Sequence, residues 1–507
     1  MRKGKAGLLI ICGFVCLLLF GCGQAGGQAD GQEQQKQPEV KEEIVGVYEA
    51  EEAELSSNLA VKNVSSGFSG TGYVEGFEQD GDACVFRVAV DEDGFYDLRL
   101  TAANIGGYKE NYVLVDETAV GNLVSRESKF TEETIKRTYL SAGEHTVAVS
   151  KFWGYISLDK LTVLKSPELP EDYYEVSAKL CNENADDCAK RLMSYLADNY
   201  GKNVLSGQYC DGGLYGHEMA CIWAATGNFP AVVGLDMIEY SPSRAANGSE
   251  GKSIEQAIEA WEAGAVVTIC WHWNAPEKYL TGQWYSGFYK EYTNIDLDKI
   301  MNGEDEEGYK LLLSDMDVIA KELQKLQKAG VPVLWRPLHE ASGGWFWWGD
   351  CKAESYLELY RLMYDKFTNE YGLNNLIWVW NGQSKDWYPG DDVVDIVGED
   401  IYPGEHVYSS QINKFMEVHD YADSGKMVVL SENGCLFDPD LVLRDGAMWG
   451  YFGTWGGEFV SKSTTLNIYS EQYTEEEMLK KVYSHENVIV LNELPNLKEY
   501  PIREEAE

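Results

Sequence analysis

A series of eight apolar, strand-like runs limits the fold of this chain more than any other feature. The runs alternate with stretches of helical apolar spacing, such as residues 309–329 and 356–371. Strands that alternate with helices indicate a parallel sheet covered by helices, and eight of them over roughly 330 residues predict a (β/α)8 TIM barrel with insertions. The runs are NVLSGQY at Asn203, AVVGLD at Ala231, AVVTICWHW at Ala265, VPVLWRP at Val331, NLIWVWNG at Asn375, VDIVGEDIY at Val394, MVVLSENG at Met427 and AMWGYFGTWG at Ala447.

Polar and aromatic residues stand at the C-terminal ends of these runs, where a (β/α)8 barrel places its active site. Each of them has an ordinary structural alternative, such as a hydrogen-bonded histidine at the barrel rim or a tyrosine of the core. Together they predict one functional mouth. The residues are His272 at the end of the third run, His339 and Glu340 at the end of the fourth, Asp400 and Tyr402 at the end of the sixth, Glu432 at the end of the seventh and Trp455 at the end of the eighth.

Two of these ends carry a glutamate beside glycines, in WRPLHEASGGWFWWG at residues 335–349 and KMVVLSENG at residues 426–434. Sugar rings stack on tryptophan, and a glycosidic oxygen needs a proton from a carboxylic acid. Glu340 is therefore the candidate acid and Glu432 the second carboxylate, as a retaining glycosidase requires. The structural alternative is that residues 345–348 belong to the core and that Glu340 only forms a salt bridge or caps a helix.

The N-terminus has the pattern of a secretory signal, in which Arg2, Lys3 and Lys5 precede an apolar run over residues 7–20 that is too short to span a membrane. Residues 19–22, LFGC, resemble a bacterial lipobox. This resemblance implies that Cys22 is lipid-modified and that the protein is an extracellular, cell-surface lipoprotein. An ordinary signal peptide is the alternative. Residues 23–43 have almost no aliphatic side chains and predict a disordered tether.

The net charge and the cysteine content limit the kinds of partner and metal site that the chain can have. The chain has 42 basic and 83 acidic residues, a formal net charge of -41, which argues against nucleic acid and anionic lipid surfaces and leaves neutral substrates. Three of its 11 cysteines lie in the leader, and the others match no zinc pattern. A disulfide between Cys181 and Cys188 is left open.

Residues 44–165 show short alternating runs separated by turn residues, which predict an all-β sandwich of the jelly-roll type, and residues 166–175 predict a short linker. The pieces YEAEEAEL and WGYISLDKLTVL resemble carbohydrate-binding modules of the family 35 and family 6 group. This resemblance implies a structural Ca²⁺ held by Glu49, Glu51 and Asp159, which are hard oxygen ligands. The alternative is that these acids are surface charge.

The segments WHWNAP, WRPLHEASGGWFWWG, DIYPG, LSENG and YFGTWGGEF resemble glycoside hydrolase family 26, whose known members are mostly endo-β-1,4-mannanases. The likeness runs from about Val176 to Glu493 and places the catalytic domain at residues 176–500. It implies that Glu340 is the acid/base and Glu432 the nucleophile. The further roles that it implies are sugar contacts for His272 and His339, support of the nucleophile by Arg336 and Tyr402, and stacking platforms at Trp345 and Trp455.

The expected protein is thus a retaining endo-acting hydrolase of β-1,4-mannosidic bonds in mannan, glucomannan or galactomannan, monomeric and without a catalytic cofactor. Its partners would be β-mannan and manno-oligosaccharides, and it would meet a membrane only through its lipid anchor. The alternatives are a β-1,3-1,4-glucanase or β-1,3-xylanase of the same family, and a non-catalytic surface glycan-binding lipoprotein.

Overall fold

A computed structural model of the chain describes residues 42–504. The predicted signal peptide, the lipobox cysteine Cys22 and nearly all of the predicted tether lie outside the described residues. Within residues 42–504, no helix has both the length and the apolar character needed to cross a membrane.

The N-terminal part is a sandwich of two antiparallel sheets, as predicted. One sheet has the order β3-β4-β11-β6-β9 with β1 paired to β11, and the other has the order β2-β5-β10-β7-β8. Residues at every second position of β5 are buried, so that one face of the strand lines the core and the other meets solvent. The strands are β1 Ile44–Glu49, β2 Glu54–Leu55, β3 Ala60–Lys62, β4 Tyr73–Glu75, β5 Ala83–Val90, β6 Gly94–Asn104, β7 Lys109–Val115, β8 Thr118–Ser125, β9 Thr131–Leu140, β10 Gly143–Ser150 and β11 Ile156–Lys165.

The C-terminal part is a closed barrel of eight parallel strands, which confirms the predicted TIM barrel. The strands are buried on both faces, because side chains fill the interior and helices cover the outside. Their sequences are accordingly apolar with little alternation. The barrel strands are β13 Gly207–Tyr209, β14 Val232–Asp236, β15 Val266–Trp271, β16 Val333–Pro337, β17 Leu376–Trp380, β18 Ile396–Ile401, β19 Met427–Asn433 and β20 Phe452–Thr454, and a separate parallel pair consists of β12 Val204–Leu205 and β21 Val488–Ile489.

Helices surround the barrel. The longest, α6, begins after Asp305, whose side chain accepts a hydrogen bond from the backbone N–H of Gly308. The helix α7 continues into a π-helical turn at Lys366–Glu370. The helices are α1 Asp187–Asn199, α2 His217–Thr226, α3 Pro242–Ala246, α4 Ser253–Glu262, α5 Leu297–Met301, α6 Glu306–Lys328, α7 Ala353–Asp365, α8 Ile412–His419, α9 Pro439–Asp445 and α10 Glu476–Tyr483.

The sandwich and the barrel have separate hydrophobic cores and meet through polar contacts. Arg137 of β9 donates from Nε to the carbonyl oxygen of Asp445 at 2.8 Å, and Lys136 forms a 3.0 Å ion pair with Asp420. The side chain of Asn413 in α8 donates to the carbonyl oxygen of Val120 at 2.6 Å. The two domains are therefore docked and not merely joined by residues 166–175.

The Cys181–Cys188 disulfide is not formed. All eight cysteines among residues 42–504 carry free thiols, and the Sγ atom of Cys188 instead contacts Oδ1 of Asp186 at 2.9 Å. The fold is thus stabilised by its cores and not by disulfides.

Candidate active site

Glu340 lies at the C-terminal end of β16, on a backbone that is held in an unfavourable conformation. Leu338 and Glu340 both have positive φ, 51° and 53°, values that non-glycine residues adopt at a cost of about 1–3 kcal/mol. The backbone N–H of Glu340 donates to the carbonyl oxygen of Asn381 at 2.7 Å and to its side-chain Oδ1 at 3.0 Å. Because Asn381 follows β17, the neighbouring strand fixes the position of the glutamate.

Three carboxylates meet at the mouth of the barrel. One oxygen of each of Glu340, Asp400 and Glu432 lies within 4.8 Å of the corresponding oxygens of the other two. A retaining glycosidase places its two carboxyl groups about 5–5.5 Å apart, whereas an inverting enzyme leaves about 6.5–9.5 Å for a water molecule. The proximity of Glu340 and Glu432 matches the retaining arrangement.

Glu432 is buried at the end of β19, and each of its oxygens accepts a hydrogen bond. The guanidinium of Arg336 donates from Nη2 to Oε1, and the hydroxyl of Tyr402 donates to Oε2 at 2.7 Å. Arg336 is itself fully buried and also donates to Asp400 at 2.9 Å. Hydrogen bonds to both oxygens fix the orientation of the Glu432 carboxyl group, as a nucleophile at this position requires.

Glu340 has a different environment. Burial and the nearby negative charges of Asp400 and Glu432 raise the pKa of Glu340 well above its usual value. The indole N–H of Trp345 donates to Oε2 at 2.8 Å but does not offset these effects. Burial is also the main cause that raises the pKa of Asp400 to about 7. The site therefore holds a proton near neutral pH, and Glu340 is suited to donate it.

A chain of hydrogen bonds connects the two histidines to a further acid. Nε2 of His339 and Nε2 of His272 are 3.1 Å apart, and Nδ1 of His272 lies 2.6 Å from Oδ2 of Asp236. Burial and the charge of Arg336 lower the pKa of His339 well below its usual value, so His339 is neutral. Because the carboxylate of Asp236 accepts, Nδ1 of His272 carries a proton. With one proton on each ring, His339 donates from Nε2 to the bare Nε2 of His272. Nδ1 of His339 is buried and has no hydrogen-bond partner.

The aromatic residues divide into exposed and buried groups. Trp345 is 41% exposed and contacts Glu340 through its indole N–H, and the ring of Trp455 lies 5.7 Å from that of His272, so one predicted platform lies beside a carboxylate and the other beside a histidine. Phe346, Trp347 and Trp348 are buried, so the alternative in which residues 345–348 belong to the core is correct for these three residues. The indole N–H of Trp348 donates to the carbonyl oxygen of His339 at 2.8 Å.

A cleft with a volume of about 240 Å³ lies beside Trp455 and Asp236. Asp211, Glu218 and Asp236 contribute carboxylates to its walls, and Tyr209 and Trp455 contribute rings. The combination of flat rings and hydrogen-bond acceptors suits a sugar unit.

The three predicted calcium ligands lie in the sandwich, away from the barrel mouth. Ser69 connects two of them, because its hydroxyl contacts Glu49 at 2.7 Å and Asp159 at 3.1 Å. A Cβ atom on Gly70 would lie 2.3 Å from an oxygen of Glu51 and 3.1 Å from one of Glu49, so the third acid borders the same turn. Oε2 of Glu51 is buried without a hydrogen-bond partner. This free buried oxygen fits a cation ligand.

The structure adds residues that the sequence analysis did not assign. Asp236 orients His272, Asn381 holds the backbone of Glu340, and Ser431 donates to Asp400 at 2.8 Å. Asp236 ends the second barrel run and Asn381 follows the fifth. The positional rule that indicated Glu340 and Glu432 would have found both of them.

The chain resembles proteins of one enzyme family over most of its length. Residues 181–493 match the model of glycosyl hydrolase family 26, and residues 46–166 match that of carbohydrate-binding module family 35. A mannan endo-1,4-beta-mannosidase of Thermothelomyces thermophilus is 37% identical over 457 residues, which cover 88% of this chain and 90% of the relative. A mannan endo-1,4-beta-mannosidase of Bacillus subtilis is 34% identical over 279 residues, which cover 49% of this chain and 72% of the relative.

Solved structures of mannanases also resemble this chain. The Podospora anserina GH26-CBM35 beta-(1,4)-mannanase superposes with a TM-score of 0.62 at 35% identity, covering 90% of this chain and 99% of that structure. A beta-mannanase from a symbiotic protist of the termite Reticulitermes speratus, solved with a gluco-manno-oligosaccharide, has a TM-score of 0.56 at 33% identity, covering 64% of this chain and 99% of that structure.

Proposed function

The chain belongs to glycosyl hydrolase family 26, and from this premise we propose that it is an endo-β-1,4-mannanase that cleaves mannan, glucomannan or galactomannan with retention. The observation that supports this most strongly is the pair of Glu340 and Glu432, close enough for double displacement and placed in contrasting environments. The N-terminal module belongs to carbohydrate-binding module family 35.

In the first step Glu432 attacks the anomeric carbon of the sugar bound at the cleavage point. Glu340 donates its proton to the glycosidic oxygen as the bond to that oxygen breaks. Arg336 and Tyr402 hold the nucleophile in position through its two oxygens. The product of this step is a covalent glycosyl ester on Glu432 and a released chain end.

In the second step Glu340, now ionised, removes a proton from a water molecule that attacks the same anomeric carbon. The ester bond to Glu432 breaks, Glu340 regains its proton, and the sugar leaves with its original configuration. The platforms Trp345 and Trp455 hold flat sugar faces during both steps.

A time-resolved NMR measurement of the products tests the mechanism. Hydrolysis of manno-oligosaccharides should release the β-anomer first, with the α-anomer appearing only by mutarotation. Initial release of the α-anomer would show inversion and contradict the assigned pair.

Substrate choice is tested by assaying reducing ends released from soluble mannan, galactomannan, barley glucan and xylan. We expect the mannans to give the highest kcat/KM, because the relatives matched over most of this chain carry mannanase names. A clear preference for barley glucan or xylan would support the glucanase or xylanase alternative. Absence of hydrolysis on all four polymers would support a non-catalytic glycan-binding protein.

We propose that the sandwich binds the same polysaccharide through an exposed aromatic cluster. The rings of Tyr108 and Trp153 lie 5.4 Å apart, those of Tyr112 and Phe152 lie 4.8 Å apart, and Phe152 also neighbours Trp153. Trp153 is 50% exposed, although large aromatic side chains are usually buried. Affinity electrophoresis of the full chain in galactomannan gels should show weaker retardation for Trp153→Ala, and unchanged retardation would contradict the assignment.

We propose that Glu49, Glu51 and Asp159 hold a structural Ca²⁺ in the sandwich. The buried, unpartnered oxygen of Glu51 and the junction of the other two acids at Ser69 support this. A ligand that binds only the native state raises the melting temperature. Chelation with EDTA should therefore lower the melting temperature of the wild type but not of Asp159→Ala, and an unchanged wild-type value would remove the site.

We propose that the protein is a monomeric, extracellular lipoprotein anchored to a bacterial membrane through Cys22. The basic residues followed by a short apolar run and LFGC support this. Expression in a bacterial host with labelled fatty acid should label the wild type and not Cys22→Ala. Release of both proteins into the medium without label would instead support an ordinary signal peptide.

A further inference from the structure

A second group of metal-ligating atoms lies beside the histidines of the active site. One oxygen of Asp236, Sγ of Cys270 and a ring nitrogen of His272 all lie within 4.8 Å of one another. We propose that these three side chains bind one thiophilic divalent cation such as Zn²⁺, and that the bound cation inhibits the hydrolase.

The distances are close to those of a zinc site. Sγ of Cys270 lies 4.0 Å from Nδ1 of His272, which lies 2.6 Å from Oδ2 of Asp236. Zinc bonds of about 2.0–2.3 Å in a tetrahedron put neighbouring ligand atoms about 3.3–3.6 Å apart. The first distance must therefore shorten and the second lengthen, each by less than about 1 Å, which small side-chain rotations supply. Three protein ligands leave the fourth position for water.

A cation can reach the site from the cleft. The side chains of His272 and Asp236 are 11% and 15% exposed, and Asp236 lines the cavity of about 240 Å³ together with Asp211 and Glu218. Carboxylates that line a cleft raise the local concentration of cations. Cys270, at the buried base of the group, then selects soft ions, because thiolate ligands favour zinc over calcium or magnesium.

Binding releases one proton, from the thiol of Cys270, and moves the ring proton of His272 from Nδ1 to Nε2, so that sulfur and Nδ1 form bonds to the cation. Nε2 of His272, which had accepted from His339, then carries the proton. Two N–H groups would face each other unless the proton of His339 moved to Nδ1, and that atom is buried with no partner. Occupancy of the site therefore disrupts the His272–His339 contact, and inhibition follows because both histidines border the catalytic carboxylates.

The test uses the full chain, Zn²⁺ or Co²⁺ as the metal, and two cysteine variants. Cys270→Ala removes the proposed thiolate ligand. Cys188→Ser is the matched control, since its thiol also lies beside a carboxylate, that of Asp186, but without an imidazole partner. Hydrolysis of a manno-oligosaccharide is measured over a Zn²⁺ titration, and Co²⁺ binding is followed by thiolate-to-cobalt charge-transfer absorption.

We expect Zn²⁺ to inhibit the wild type and Cys188→Ser equally. Cys270→Ala should raise the Zn²⁺ concentration for half-inhibition by more than about tenfold, since loss even of an outer-shell partner of a metal site costs roughly 10–100-fold in affinity. The cobalt absorption should appear with one equivalent in the wild type and be absent in Cys270→Ala. Equal inhibition of Cys270→Ala and wild type, as would follow if the ion bound Glu340, Asp400 and Glu432 instead, would overturn the proposal.

The inhibition measurement rests on the proposed function, whereas the cobalt absorption does not. A chain without hydrolase activity could still show the absorption, which would keep the metal site and reject the function. An active enzyme without the absorption would reject the metal site alone.

Discussion

Replacing Asp236 with Asn tests whether this acid controls the proton on His272. The two oxygens of Asp236 accept three hydrogen bonds. Oδ1 accepts from the backbone N–H groups of Ile238 at 2.9 Å and His272 at 3.1 Å, and Oδ2 accepts from Nδ1 of His272 at 2.6 Å. An amide offers one acceptor oxygen and one donor nitrogen, so it cannot accept all three hydrogen bonds. Either the amide nitrogen faces the backbone N–H groups, or it faces Nδ1 and drives the ring proton to Nε2, toward the N–H of His339.

The expected loss follows from the count of hydrogen bonds. An amide nitrogen at the Oδ1 position leaves two backbone donors without an acceptor, whereas one at the Oδ2 position leaves a single donor without one. The second orientation is the less costly, at about 1–3 kcal/mol. If this cost raises the free energy of the transition state relative to the free enzyme and substrate, kcat/KM falls by about 5- to 150-fold. The loss should appear in kcat/KM on short manno-oligosaccharides, because His272 and His339 lie beside the catalytic carboxylates and not at a remote sugar-binding surface.

The sandwich supplies a matched control. Asp116 accepts from Nδ1 of His145 at 2.6 Å and from the backbone N–H of Thr146 at 2.8 Å, which repeats the local geometry of Asp236 outside the active site. Asp116→Asn should leave kcat/KM on oligosaccharides unchanged.

A double variant tests whether Asp236 affects catalysis through His339. Asp236→Asn combined with His339→Ala should lose less than the sum of the two single losses, because the first change acts through the second residue. A kcat/KM for Asp236→Asn within about 2-fold of wild type, or strict additivity in the double variant, would refute the reasoning.

Four further outcomes are expected. Glu432→Ala should lose activity by several orders of magnitude and regain part of it with azide, giving a glycosyl azide of inverted configuration, and near-normal turnover would reject the nucleophile. Glu340→Ala should act on an aryl mannoside with a nitrophenolate leaving group in a burst followed by a slow steady state, whereas equal losses on activated and natural substrates would reject the acid/base role. Burial raises the pKa of Asp315 to about 7, above its unfolded value near 3.9, so its contribution to stability is complete below about pH 4 and is lost as the pH rises through 7. Asp315→Asn should reduce the fall in the free energy of unfolding over that window by on the order of a few kcal/mol, as measured by denaturation at each pH, and an unchanged pH dependence would show that Asp315 is ionised in the fold. A chain that begins near Glu171 should fold and keep kcat/KM on short oligosaccharides within about 2-fold while losing more on insoluble mannan, and an insoluble or inactive product would show that the barrel needs the sandwich.

The architecture could be predicted from the sequence because the spacing of apolar residues within a short segment indicates whether that segment forms a strand or a helix. Alternation over β5 indicated a half-buried strand, and the nearly continuous apolar runs of the barrel indicated strands covered on both faces. The rule that functional residues lie at the C-terminal ends of barrel strands then indicated Glu340 and Glu432. The two glutamates could be recognised because a carboxylate at the end of an apolar strand differs clearly from the residues before it.

The remaining part of the site depends on contacts between distant segments. Nothing within residues 345–348 distinguishes exposed Trp345 from buried Trp348, because the burial of Trp348 depends on its position over His339. The positive φ of Glu340 depends on Asn381, 41 residues later in the chain. The proton arrangement of His272 likewise depends on Asp236 from a neighbouring strand. Such contacts become visible only when the barrel closes.

The contact between the sandwich and the barrel suggests how two separable domains act on one polymer. The two cores share no residue. The connecting contacts include hydrogen bonds, an ion pair and the guanidinium of Arg444 over the ring of Tyr139 at 4.3 Å, so removal of one domain exposes polar groups that water can satisfy. Arg137 nevertheless bridges the domains with its guanidinium while stacking over the ring of Phe95 at 4.0 Å, which restricts rotation of the sandwich. A restricted module raises the effective concentration of only those chains that can reach both the aromatic cluster and the cleft. Its benefit should therefore increase with polymer length and be absent for oligosaccharides too short to span the two surfaces.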